Sequence, residues 1–247
     1  MRTAKNTPAR PVSLRRKLRQ RGQEILEFGL VAILMIPLLL GAFITGMNLV
    51  RSIQANQMSR DLTDMFIHGQ DFSLYVSQNL AKRLAQGMNL GIGTDPGTAR
   101  WNNTASTNGG NGIVVLTKIM YVGTTSEAQC AYVSPSTCNN HDSFVFMQRV
   151  QFGNSSLTPS FTSSLGALPT GITMLSDGEV QNPVTDTTAK LGTAGQTAMA
   201  NLWQVNTGGQ TQLADGQIVY VGEVFFQSPD LSFSSLSGNG VYARYFF

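Results

Sequence analysis

Arg21-Gly22-Gln23-Glu24-Ile25-Leu26-Glu27-Phe28 joins a basic arm to a long apolar run. Eight Lys and Arg lie in residues 1–22 with no acid among them, and residues 28–50 carry no formal charge. A helix of about 20 apolar residues crosses the hydrocarbon core of a bilayer. The 23 residues of this run therefore predict a membrane-spanning helix. Glu27 lies just inside the hydrophobic block, five residues after Gly22. A carboxylate at that depth is costly unless it has a partner. Snorkelling to the interface beside Arg21 is the plainer way to satisfy it. Glu24 and Glu27 both sit near a helix N-terminus, where the helix dipole favours negative charge.

The overall charge of +3 hides an asymmetry. Residues 1–22 contribute +8, and nine Lys/Arg against fourteen Asp/Glu leave the rest of the chain at −5. A basic arm abutting an apolar run is explained by the positive-inside rule, with no need of nucleic acid as a partner. Only Arg51 follows the run directly, so the N-terminus is expected in the cytoplasm and residues 51–247 outside it. Within the run, Pro37 removes one helix hydrogen bond. Gly29, Gly41 and Gly46 offer small spots where another helix can approach. A cleaved secretory signal would have an apolar region of about 7–15 residues and a small-x-small cleavage site. Ala42-Phe43-Ile44 is not such a site, and an uncleaved anchor stays open.

The junction resembles the N-terminus of class III prepilin-like proteins, and is most similar to the TadE/TadG-like family of tight-adherence (Flp-type) pilus assembly proteins. Their pattern is a basic leader, a glycine, four residues, a glutamate and a long apolar helix containing a proline. Here Leu26 stands where a valine is usual, Gly29 where an alanine is usual, and Pro37 comes a few positions late. The resemblance covers about residues 15–60. A weaker likeness lies in Val219-Tyr220-Val221-Gly222-Glu223-Val224-Phe225-Phe226, followed by Pro229 and then Ala243-Arg244, and the resemblance does not extend to about residues 90–215. The resemblance implies cleavage by a prepilin peptidase between Gly22 and Gln23. Glu27 would then become mature position 5, able to pair with the new α-amino group of a neighbouring subunit. It further implies a bacterial inner-membrane protein, single-pass and incorporated into a surface pilus. Its partners would be the peptidase, other pilin or pseudopilin subunits and membrane lipid. The large body argues against a major pilin, since Flp-type major subunits are little more than the helix. An uncleaved anchor carrying a periplasmic binding domain is the alternative.

Beyond the membrane, residues 53–86 read as one continuing helix. Met58, Leu62, Met65, Phe72, Val76, Leu80 and Leu84 recur at helical spacing, with Gly69 as a bend. That stripe is expected against the body's own sheet, with contact to another pilus component as the sharper reading. Residues 94–112 read as a surface loop. Residues 112–123, 142–152, 217–228 and 241–247 are rich in Val, Ile, Tyr and Phe and predict an antiparallel sheet with the C-terminal strand well inside it. Residues 153–215 are Gly/Ser/Thr-rich and read as an insertion with local structure, including a short helix within 189–203.

Cys130 and Cys138 flank a short segment whose Pro135 and serines favour a turn. In an extracytoplasmic body a disulfide is the leading expectation, with two free thiols as the alternative. Cys130, Cys138 and His141 do not fit a zinc spacing and lack an evident fourth ligand. No nucleophile–base pair or phosphate loop stands out. The chain therefore reads as non-enzymatic, with no cofactor, no metal and no nucleic-acid partner. The expected class is α+β: a long N-terminal helix, half transmembrane and half amphipathic, packed on an antiparallel β-sheet. Its parts are a leader (1–22), a transmembrane helix (23–50), an amphipathic extension (51–87) and a domain (88–247) holding the insertion.

Overall fold

The computed structural model describes residues 14–93, 101–105, 110–157, 162–203, 213–227 and 240–247. Helix α1 runs unbroken over Leu14–Ile67, with Pro37 inside it. The chain divides into two compact units, Met1–Leu49 and Val50–Phe247. In the first unit the helix is long and apolar enough to cross a membrane, with mean hydropathy 2.5 and none of the apolar window buried.

The second unit is α+β. Its strands are β1 (Asn102–Ala105), β2 (Gly112–Val122), β3 (Ser143–Asn154), β4 (Ile218–Phe226) and β5 (Val241–Phe246). The sheet order is β1-β3-β2-β4-β5. Pairings β3–β2, β2–β4 and β4–β5 are antiparallel, and β1 adds in parallel beside β3. The four strands expected from composition are all present. Two details differ. The C-terminal strand β5 ends the strand order instead of lying inside it. The expected loop 94–112 contains β1, whose Asn-Asn-Thr-Ala sequence gives no apolar alternation to betray a strand.

One face of the sheet carries Val114, Leu116, Val150, Phe152, Val224 and Phe226, which join Met58, Leu62 and Phe66 of α1 in a single core. Helix and sheet approach closely at Gly222. Ser59 Oγ donates to the Gly222 carbonyl (2.8 Å), and Thr63 Oγ1 donates to the Ser59 carbonyl (2.6 Å). A Cβ at Gly222 would overlap Thr63 Oγ1 and sit 3.1 Å from the Ser59 carbonyl oxygen. Gly222→Ala is therefore expected to destabilise the body by about 1–3 kcal/mol, the usual cost of overpacking. Denaturant unfolding of the detergent-solubilised chain checks this, and an unchanged midpoint would reject the close approach.

The single helix expected over 53–86 is broken. Gly69, at φ +84°, follows α1 where a side chain would be strained. Helix α2 (Tyr75–Leu84) then starts on a different rotation and buries Ser77, Gln78 and Ala81. Met58, Leu62 and Phe72 of the predicted stripe are buried and Met65 is packed against them, whereas Val76 (78% exposed), Leu80 and Leu84 face outward. The buried Gln78 donates from Nε2 to the Phe72 carbonyl (2.8 Å), tying α2 to the turn before it, while its Oε1 has no partner among the described residues.

The opposite face of the sheet is covered by the insertion. Ile119, Phe144, Phe146, Val219 and Val221 pack with Leu165, Val180, Leu191 and Met199. Met199 belongs to α4 (Thr193–Trp203), the short helix expected there. Burial on both faces explains why β2 and β4 read as nearly continuous apolar runs. Residues 178–191 also follow β3 past the end of β1. Arg149 N donates to the Gly178 carbonyl, Val180 N to Met147 and Leu191 N to Phe144. That contact covers backbone groups that an open strand edge would present to other chains.

Candidate functional site

The junction residues singled out by sequence lie inside α1, which begins at Leu14, so Glu24 and Glu27 are past the helix N-terminus beside which they were expected. Gly22 and Gln23 are helical, and Glu27 is exposed one turn beyond Gln23. Gln23 Nε2 donates to Glu27 Oε1 at 3.4 Å, an i, i+4 contact along the helix. Gly29, Gly41 and Gly46 have no atom within 4 Å of an added Cβ, so each leaves a notch on the helix surface. A second helix can enter such notches because backbones approach closely where side chains are missing.

The disulfide partners are Cys130, in the short helix α3 (Ala128–Val133), and Cys138. Their sulfurs are at bonding distance, with Cα atoms 5.1 Å apart. Both residues are buried against Met120, Val122 and Val145. Closing so short a loop is worth about 2–3 kcal/mol in the chain-entropy picture. With the two sulfurs joined, neither is left to ligate a metal alongside His141, which is half exposed with its Nδ1 3.0 Å from Asp142 Oδ2. His68 is likewise exposed, beside Asp64.

Sequence reasoning passed over a polar cluster inside the body. Glu223, in the middle of β4, has no exposed surface. Its carboxylate accepts from Ser163 Oγ, Ser164 N (2.8 Å), Ser164 Oγ (2.8 Å) and Tyr242 Oη (2.7 Å). The serines come from the insertion and the tyrosine from β5, so one side chain ties three segments together. Burial first, then the Glu223 charge and hydrogen bond, push the Tyr242 pKa well above its ordinary value.

Arg149 of β3 lies on the same face and is 4% exposed. Its guanidinium stands 5.5 Å over the Phe146 ring and donates to the Gly166 carbonyl at 2.7 Å. Burial pulls the Arg149 pKa down, and the Glu223 charge raises it in part. A bulge sets this arrangement. Lys118 pairs with Gln148 but Ile119 pairs with Phe146, leaving Met147 unopposed. That one extra residue puts Arg149 on the same face as Phe146, where strict alternation would place it opposite. Beside the cluster is a cavity of about 200 Å³, lined in part by Ile113, Val115, Arg149 and Gln151.

No protein-family model, curated protein or solved structure matches the chain.

The cluster had a signal in the sequence. Glu223 is the lone acid in the apolar run 219–226, and Arg149 is the lone base in the β-prone run 142–152. Ionisable groups of opposite sign inside two buried strands ask for each other, since isolated buried charges are costly. Among the described residues, no group of three or more His, Cys, Asp or Glu is placed to hold a metal ion.

Proposed function

We propose that this chain is a pseudopilin-like or minor pilin-like component of a Tad (Flp-type) pilus, anchored in the bacterial inner membrane with its body outside the cytoplasm. It acts in filament assembly, initiation or tip decoration, without enzymatic chemistry of its own. Its leader is removed after Gly22 by a prepilin peptidase. The observation that carries the reading is the make-up of α1. The same helix carries the Gly22–Glu27 junction, presents an apolar span with none of its window buried, and ends inside the core of an α+β unit. An apolar surface of that length has two natural environments, lipid and the corresponding helices of other subunits.

Cleavage creates an ammonium at Gln23. In a filament, Glu27 of one subunit accepts that ammonium from its neighbour, and the pairing offsets the cost of holding a carboxylate in an apolar bundle. Glu27→Ala should therefore insert in the membrane as before but enter filaments about tenfold less or worse. That is the loss of a close interfacial charge pair worth about 1.5 kcal/mol or more. Quantifying the chain in sheared, purified filaments tests this, and undiminished incorporation would remove Glu27 from the mechanism. An uncleaved single-pass anchor carrying a binding domain is the second reading, favoured by the cavity beside Arg149.

A further inference from the structure

We infer that the cavity beside Arg149 is a binding site for a small carboxylate with a short apolar tail. The inference is independent of leader cleavage and of filament assembly. Its starting point is a buried guanidinium with few partners. Arg149 has five N–H donors in a fixed fork, and one of them is taken up by the Gly166 carbonyl. Among the described residues, no carboxylate oxygen lies within 4.0 Å of it, the distance that defines an ion pair.

Glu223 is the nearby acid, and its oxygens are already occupied. Four neutral donors hold them, two hydroxyls and an amide from the insertion and the Tyr242 phenol. The Glu223 charge is thus solvated where it stands, and the Arg149 fork remains able to accept another anion. A second buried polar group lies next to it. Thr117 is directly opposite Arg149 in the β2–β3 register, and its hydroxyl is buried without a protein partner. Opposite residues on a strand pair have neighbouring side chains, so the unpartnered Thr117 hydroxyl sits beside Arg149 at this point of the sheet.

The cavity supplies the rest of the ligand description. Arg149, Gln151 and Thr162 form its polar wall, and Ile113, Val115 and Ala167 its apolar wall. Its volume of about 200 Å³ exceeds the roughly 150 Å³ that accommodates a benzene molecule in a protein interior. A planar carboxylate matches the guanidinium fork in two parallel hydrogen bonds, and a tail of a few carbons covers the isoleucine and valine. Butyrate has that shape and about the heavy-atom count of benzene. Repulsion from Glu223 and the small size of the ligand set a dissociation constant on the order of millimolar.

The test uses the full chain in lipid nanodiscs, with empty nanodiscs subtracted, at constant ionic strength. Saturation-transfer NMR follows butyrate and its neutral isostere butyramide. The expected result is saturable butyrate binding, with butyramide at least about tenfold weaker, the value of one lost charge-assisted contact. Arg149→Gln should abolish the preference for butyrate. Because that change touches a buried group, a second variant is needed. Ala167→Phe places a bulky ring at an exposed position of the cavity wall. It should leave thermal stability unchanged and remove butyrate binding. Equal binding of butyrate and butyramide, binding of neither, or butyrate binding that survives both variants would overturn the site.

Discussion

Glu223→Ala should lower the unfolding free energy of the body by about 3–5 kcal/mol, the cost of removing one partner from a buried charged network. Three consequences coincide in that one change. Ser163, Ser164 and Tyr242 lose their acceptor. Ser163 is the buried one of the three, and a buried donor left unsatisfied costs about 1–3 kcal/mol. Arg149 loses the negative charge that offsets its burial. The insertion also loses its tie to β4 at Ser163–Ser164. Denaturant unfolding followed by near-ultraviolet circular dichroism measures the change. Glu223→Gln should cost less than Glu223→Ala because it keeps an acceptor oxygen. Adding Arg149→Met to Glu223→Ala should recover part of the loss, with a coupling energy of about 0.5–3 kcal/mol. Strict additivity would show that the two charges do not sense each other.

Phe72→Ala should cost about 3–5 kcal/mol, as aromatic-to-alanine changes in well-packed cores do. Phe72 has no exposed surface. It stacks on Phe152 of β3 with ring centroids 5.9 Å apart and planes 7° from parallel, and meets Phe66 of α1 edge-on at 6.5 Å. Its carbonyl also receives the Gln78 side chain. The residue therefore fastens the α1–α2 turn to the sheet, and the collapse needed to refill its space would move both helices. Val76→Ala, on the exposed face of α2, is the control and should change stability by no more than about 0.5 kcal/mol. Equal losses for the two variants would return Val76 to the core and contradict the rotation of α2.

The strands were legible because β-branched and aromatic residues gather in four runs, and the insertion because its polar composition interrupts them. Their bounds follow composition closely, from Gly112–Val122 to Val241–Phe246. Strand position within the sheet is not encoded in that local signal, so the edge placement of β5 was not. The helical stripe failed for a different reason. Periodicity assumes one continuous rotation, and Gly69 resets it, after which α2 buries a serine, a glutamine and an alanine in place of Val76, Leu80 and Leu84. The buried cluster escaped because it joins distant segments, Ser163 and Glu223 being 60 residues apart, and because a bulge invisible in the sequence decides which way Arg149 points. The Gly22–Glu27 junction was the reverse case. Its pattern is fully local, so the chemistry expected of it rests on the sequence alone.

The peptide bond after Gly22 is where the account is most exposed. Intact-mass measurement of the chain purified from cells with an active prepilin peptidase should give a species beginning at Gln23, free, cyclised or methylated, and cells lacking the peptidase should yield the unprocessed chain. A chain that retains Met1 or Arg2 in the presence of the active peptidase would contradict the pilin-like reading and leave a simple membrane anchor in its place.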